Sequence, residues 1–195
     1  MKRIIFATLS VLTLQVSAQA GMFDFESLSV GLNENFVQTD SGVTGTFSGT
    51  ATNVANMSGL VPATWGTRTL LPGLFTTNHL TVSFSQGLSS VGFEFGDFFA
   101  DDDVMSLRAF DAGNNLVGSQ DVSYPANLGI PGNVGVIGVS TSGGPIDHIE
   151  LWDTGGQGQN SIYVDNMSFV AAVPEPATIA AIGLGLTALL RRRRK

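Results

Sequence analysis

Along residues 22 to 170 apolar side chains fall on every second position rather than at the three-to-four spacing of a helix. Leu80, Val82 and Phe84 alternate with Thr81, Ser83 and Ser85, and Val91, Phe93 and Phe95 alternate with Gly92, Glu94 and Gly96. Successive side chains leave a pleated backbone on opposite sides, so this alternation is what a strand with one wet and one buried face requires. The same reading predicts strands over Met22–Glu26, Val43–Ser48, Val104–Phe110, Leu116–Val122, Val134–Ser140, Ile146–Leu151 and Ser161–Phe169. Turn-forming residues separate them at Gln86-Gly87, Asp111–Asn115, Ser142–Pro145 and Thr154–Gly158. Residues 31 to 72 are rich in Thr, Ser, Asn and Gly and predict irregular strands with long loops. About nine short strands joined by Gly-rich turns predict an all-β, antiparallel β-sandwich, a jelly roll by preference.

Both ends depart from this pattern. Lys2 and Arg3 precede an apolar run from Ile4 to Leu14, and Ala18-Gln19-Ala20 supplies the small-x-small step of a secretory signal peptide, with cleavage after Ala20. That makes the Sec export machinery a predicted partner. At the other end Ala177 to Leu190 carries no charge and is followed by Arg191, Arg192, Arg193, Arg194 and Lys195. Fourteen residues fall short of the ~20 that usually span a bilayer, but arginine side chains snorkel and cations favour the cytoplasmic side, so the tail predicts a C-terminal transmembrane helix. The chain thus divides into a signal peptide (1–20), a β-sandwich domain (21–170) and a C-terminal signal (171–195).

Charge narrows the partners. Of nine Lys and Arg only Arg68 and Arg108 lie between the two ends, against fifteen of the sixteen carboxylates. Such a body repels phosphate backbones, which excludes nucleic acid, and makes cations its natural small partners. Without cysteine there is neither disulfide nor thiolate chemistry, and His79 and His148 lack the spacing of a zinc site.

Two carboxylate groups are candidate Ca²⁺ ligands, since hard cations take several oxygens from flexible segments. Asp101 and Asp103 belong to the acidic stretch from Asp97 to Asp103, which competes with a plain solvated turn. Asp24, Glu26 and Asp165 would meet if the first and last strands run side by side; outward alternation from two strands is the competing reading. Trp65 and Tyr124, in Gly- and Pro-containing surroundings, offer faces for a sugar ring or for packing. No nucleophile elbow, phosphate loop or dinucleotide fingerprint is present.

Val173-Pro174-Glu175-Pro176, an apolar helix with Gly183 and Gly185, and the terminal Arg cluster together resemble the PEP-CTERM sorting signal of Gram-negative bacteria. The resemblance implies that an exosortase recognises Pro174, Glu175 and Pro176 and processes the tail. It also implies an inner-membrane-anchored precursor, delivered to the cell envelope, cell surface or an extracellular polysaccharide matrix. More loosely, Phe23–Glu26, the stretch Val104–Gly118 and Ile162–Phe169 resemble jelly-roll domains of such proteins and of carbohydrate-binding modules. The sequence therefore predicts an exported, non-enzymatic structural or glycan-associated protein. Two alternatives stand beside it: a Ca²⁺-dependent carbohydrate-binding module, and a matrix polysaccharide hydrolase or lyase using paired carboxylates.

Overall fold

The computed structural model describes residues 17–33, 35–49, 53–56, 59–71, 79–97, 102–124, 134–153 and 162–173. In chain order the strands are β1 (Ala20–Phe23), β2 (Gly31–Leu32), β3 (Phe36–Asp40), β4 (Val43–Ser48), β5 (Asn53–Asn56), β6 (Arg68–Leu71), β7 (Leu80–Asp97), β8 (Asp103–Phe110), β9 (Leu116–Tyr124), β10 (Gly135–Ser140), β11 (Ile146–Asp153) and β12 (Ile162–Ala171). One short 3₁₀ turn, Ala63–Trp65, precedes β6. Every pairing is antiparallel. The body runs from Ala18 to Ala172, and residues 1–17 and 173–195 belong to a separate unit.

The long strand β7 organises the body. Its first half pairs with β4 and β11, whereas its second half pairs with β10 and β12. One set of strands therefore runs β3-β4-β7-β11-β8-β9, and the other runs β2-β5-β6-β12-β7-β10 with β1 also on β12. One apolar cluster takes Val82 and Phe84 from the first half of β7, Phe93 and Phe95 from the second, and partners from both sets such as Phe47, Leu107, Ile137 and Phe169. The predicted turn at Gln86-Gly87 is corrected here, since both residues lie inside β7. Gly87 serves close approach: a Cβ there would collide with Pro145.

Aromatic packing fixes the start of the body. Phe36 of β3 lies opposite Phe47 of β4 with ring centroids 4.6 Å apart and planes 8° from parallel. Phe25 meets both rings edge-on, and Phe23 meets Phe47 and Phe169. Such pairs contribute about 0.5–1.5 kcal/mol each beyond burial. Phe25 is fully buried at φ 57°, a conformation that costs a bulky residue about 1–3 kcal/mol. The predicted first strand, Met22–Glu26, accordingly stops at Phe23, because the backbone reverses hand to drop Phe25 into this cluster. Asp24 and Glu26 leave the strand there and come near Asp165 of β12.

The predicted hairpin at Asp111–Asn115 is present. Asp111 N–H donates to the Asn115 carbonyl at 3.0 Å, and Asn114 adopts φ 65°. Three N–H groups of Gly113 and Asn115 converge on the Asp111 carboxylate, which holds its pKa below the usual range, the Asn115 side chain contributing most.

Candidate functional site

The chemically unusual place in the body is where β12 changes neighbours. β1 lies beside Met167 to Val170, whereas β6 takes over at Val164. Between them the pairing of β12 with β7 slips: Asp165 lies opposite Glu94, and regular register resumes only at Ser168. Ile162 and Val164 point inward, and Met167 and Phe169 do so again one position out of phase. A bulge must absorb the odd residue, and Asn166 does so at φ 47°, a conformation asparagine tolerates better than most residues.

The bulge places polar groups in fixed relations. Asn166 Nδ2 donates to Glu94 Oε2 at 2.9 Å and to the Thr64 carbonyl at 3.1 Å. Trp65 Nε1 donates to the same Glu94 oxygen at 2.7 Å. Glu26 accepts from Thr67 N and Arg68 N, each at 2.6 Å, and from Thr67 Oγ1 at 2.8 Å, tying the end of β1 to the start of β6. Asp24 Oδ1 accepts from Glu26 N at 3.2 Å.

Asp165 is enclosed by this network with 0% of its surface exposed. Its Oδ1 accepts from Asn166 N at 2.7 Å, while Oδ2 is buried without a hydrogen-bond partner among the described residues. Burial above all, and then the negative charges of Glu26, Asp24 and Glu94, push its pKa up to about 8 against the pull of the Asn166 N–H. At neutral pH it is mainly a protonated acid. Burial also raises Glu26, but its hydrogen bonds from Thr67 and Arg68 outweigh that and leave it below the ordinary carboxylate range.

The structure thus gathers Asp24, Glu26 and Asp165 at one corner, as adjacent first and last strands predict, and adds Glu94. Among the described residues, however, no three His, Cys, Asp or Glu side chains are disposed to share a metal ion. Glu26 is already engaged by backbone and hydroxyl donors. Asp103 is not on a solvated acidic turn: it opens β8 opposite Tyr124 and is 2% exposed. Asp101 lies outside the described residues, as do Pro174, Glu175, Pro176, Arg191, Arg192, Arg193, Arg194 and Lys195. Ala18 is exposed, and Ala20 begins β1 opposite Val170.

Trp65 and Tyr124 offer no face to a sugar. Trp65 is 1% exposed and packs with Val61 and Tyr163, and Tyr124 is 4% exposed against Phe95. The sequence reading overlooked Trp152, which stacks on His79 at 4.1 Å with the Arg108 guanidinium 5.2 Å from its ring centre. Glu150 pairs with His79 at 3.2 Å, and Asp121 grips Arg108 with both oxygens. The ring faces and charges of this outer sheet surface satisfy one another. His148 is half-buried on the same strand and stacks on Phe110.

Residues 172–195 match the model of the PEP-CTERM protein-sorting motif. No curated protein matches the chain. Similar solved structures include a family 29 carbohydrate-binding module at 12% identity, covering 84% of this chain and 98% of that one with a TM-score of 0.42. Another is a glycoside hydrolase family 43 arabinoxylan arabinofuranohydrolase from Bacillus subtilis, in complex with cellotetraose. It is 15% identical over 73% of this chain and 28% of that one, with a TM-score of 0.44. An Arthrobacter globiformis isomalto-dextranase complexed with panose is 15% identical over 78% and 32% of the two chains, with a TM-score of 0.42. Likeness at this level bears on neither ligand nor reaction. Among the described residues no helix is long and apolar enough to cross a membrane; the predicted helix at 177–190 lies outside them.

Proposed function

From a chain that ends in a PEP-CTERM sorting motif over residues 172–195, we propose an exported protein that an exosortase sorts to the cell envelope or extracellular matrix. There its jelly-roll β body performs non-enzymatic structural or glycan-associated work. The sorting motif is the observation that carries this reading. The leader at 1–20 and the apolar tail with its basic end complete the route: Sec export, transient anchoring in the inner membrane, then processing at Pro174-Glu175-Pro176. The strongly acidic body fits residence among neutral polysaccharides and cations rather than on anionic surfaces. A hydrolase or lyase is disfavoured at the carboxylate corner, because Asp165 is sealed from solvent and a catalytic acid must reach the bond it protonates.

A Ca²⁺ ion at that corner is the second reading, favoured by the buried, unpartnered Oδ2 of Asp165 beside three other carboxylates. It requires Asp24 and Glu26 to turn away from their present partners.

Fractionated cells and medium, analysed by intact mass for wild type and for a Pro174-Glu175-Pro176→Ala-Ala-Ala variant, test the main reading. The wild type is expected to lose its tail near Pro176 and leave the inner membrane, while the variant stays whole and membrane-bound. Both proteins keeping their tails, or both losing them, in the same fractions would refute sorting by this motif. Melting the purified protein with Ca²⁺ and with EDTA separates the second reading, since a bound ion raises the melting temperature and an empty corner leaves it unchanged.

A further inference from the structure

The first strand of the body lies in a seam that is rich in acceptors and short of positive charge. β1 pairs with β12 on one edge; on the other, Met22 N–H donates to Asp40 Oδ2 at 2.9 Å across to the end of β3. Gly21 has no room for a side chain: a Cβ there would overlap the Phe169 ring and stand 2.5 Å from Asp40 Oδ2. A carboxylate oxygen therefore lies against the Gly21 backbone, whose nitrogen is three covalent bonds from the Met22 nitrogen that Asp40 already holds.

A cavity of about 300 Å³ adjoins this point, lined by Met22, Asp24, Gln38 and Asp40 among others. Gln38 is 9% exposed, and its Oε1 has no hydrogen-bond partner among the described residues. Asp40 from β3 is the charged group beside Gly21, Asp24 lines the same cavity further along, and the opposing stretch of β12, Ser168 to Val170, carries no charge.

We infer that removal of the leader after Ala20 supplies the missing cation, as the new α-ammonium of Gly21, and that Asp40 is its partner. The inference rests on residues 1–20 being a cleaved leader. Hydrolysis adds the oxygen of water to the Ala20 carbonyl carbon, and the Gly21 nitrogen takes up protons as it leaves. One amide N–H thus becomes an ammonium with three donors, for which the Asp40 carboxylate is the adjacent acceptor. Cleavage also removes the Gln19 carbonyl that accepts from Ala171 N–H at 2.7 Å, so the start of β1 loses that neutral hydrogen bond to β12 and gains the ammonium's charged one on its other edge. Any first residue other than glycine would strike Phe169 and hold the strand off β12.

An ion-paired amine keeps its proton to higher pH. Its contribution to stability is whole below the ordinary α-amino pKa of about 7.7–8.0 and is lost as pH rises through the raised value. The test uses the exported protein as purified from cells, with its first residue read by intact mass and terminal sequencing. The α-amine is left unmodified in protein labelled with ¹³C-glycine, and the Gly21 ¹³Cα signal is titrated from pH 6 to 10. The references are the same label on the peptide Gly-Met-Phe and on an Asp40→Asn protein. The wild-type midpoint is expected at least half a pH unit above the peptide's, with Asp40→Asn returning it to the peptide value. A wild-type midpoint equal to the peptide's overturns the pairing, and that result alone decides, whether or not the variant folds. A first residue other than Gly21 overturns the leader reading itself, and the inference with it.

Discussion

Replacing Asp165 by asparagine keeps the side chain's shape and removes its ability to ionise. In the folded protein this acid has its pKa raised from 3.8 to about 8, mainly by burial. Below about pH 4 folded and unfolded chains both hold the proton and the group is neutral in both. Between about pH 4 and 8 the unfolded chain releases the proton while the folded one retains it, so stability falls by about 1.4 kcal/mol per pH unit. Above about pH 8 the folded carboxylate ionises too and the loss saturates. From pH 5 to 7 Asp165 alone therefore removes about 2–3 kcal/mol, a large part of the 5–15 kcal/mol that holds a domain folded. The lowered carboxylates, Glu26, Asp111 and Asp121, act in the opposite sense, and only as pH falls below the ordinary carboxylate range, outside this window. Urea unfolding followed by tryptophan fluorescence at pH 5, 6, 7 and 8 would give stability against pH for wild type and Asp165→Asn. The variant is expected to lie above wild type at pH 7, with the gap widening by roughly 1.4 kcal/mol per unit. Two parallel curves would refute the assignment of a buried neutral acid. Such a result in Ca²⁺ that diverges in EDTA would mean that a cation keeps Asp165 ionised.

Two further outcomes follow from the packing. Asn166→Ala removes two side-chain hydrogen bonds and puts a residue with no local compensation at φ 47°; a loss of about 2–3 kcal/mol in chemical denaturation is expected, with Glu94 and Trp65 left in place. Gly135→Ala sets a Cβ 2.5 Å from the Phe95 ring and should cost about 1–3 kcal/mol, and a change below about 0.5 kcal/mol would show that β10 can move off β7 freely.

Alternation made most of the strands legible. Val43–Ser48 coincides with β4, and β8, β9, β10 and β11 differ from expectation by one or two residues at an end. What alternation could not show is how one strand serves two sets of partners. Gln86-Gly87 has a turn's composition, yet Gly87 is there because Pro145 presses on it, a tertiary fact with no local trace. Asp24, Glu26 and Asp165 could be brought together from the adjacency of chain ends. Glu94 was missed because a strand carboxylate on a polar face looks solvated, and only the Asn166 bulge turns it into a partner for Trp65. The signal for that bulge was present: Ile162 and Val164 keep one phase of alternation, Met167 and Phe169 the other, and an odd spacing between them demands an extra residue. Asp103 was misread because a run of aspartates suggests water, whereas the strand pairing of β8 carries the last of them inside.

The pairing of β1 with β12 also sets an order in time. Ala20 and Gly21, the two sides of the predicted scissile bond, lie in register with Val170 and Phe169 of β12. A peptidase needs its substrate extended and unpaired, and β12 is the last of the described strands to be made. At roughly 5–20 residues per second, the ~150 residues between them take on the order of ten seconds to synthesise, and throughout that interval β1 has no partner on this edge. On the reading of residues 1–20 as a leader, its removal is therefore an early event in the life of the chain. A body that closes with its leader still attached has locked the cut site into its own sheet, and the bond becomes reachable again only when the first and last strands part.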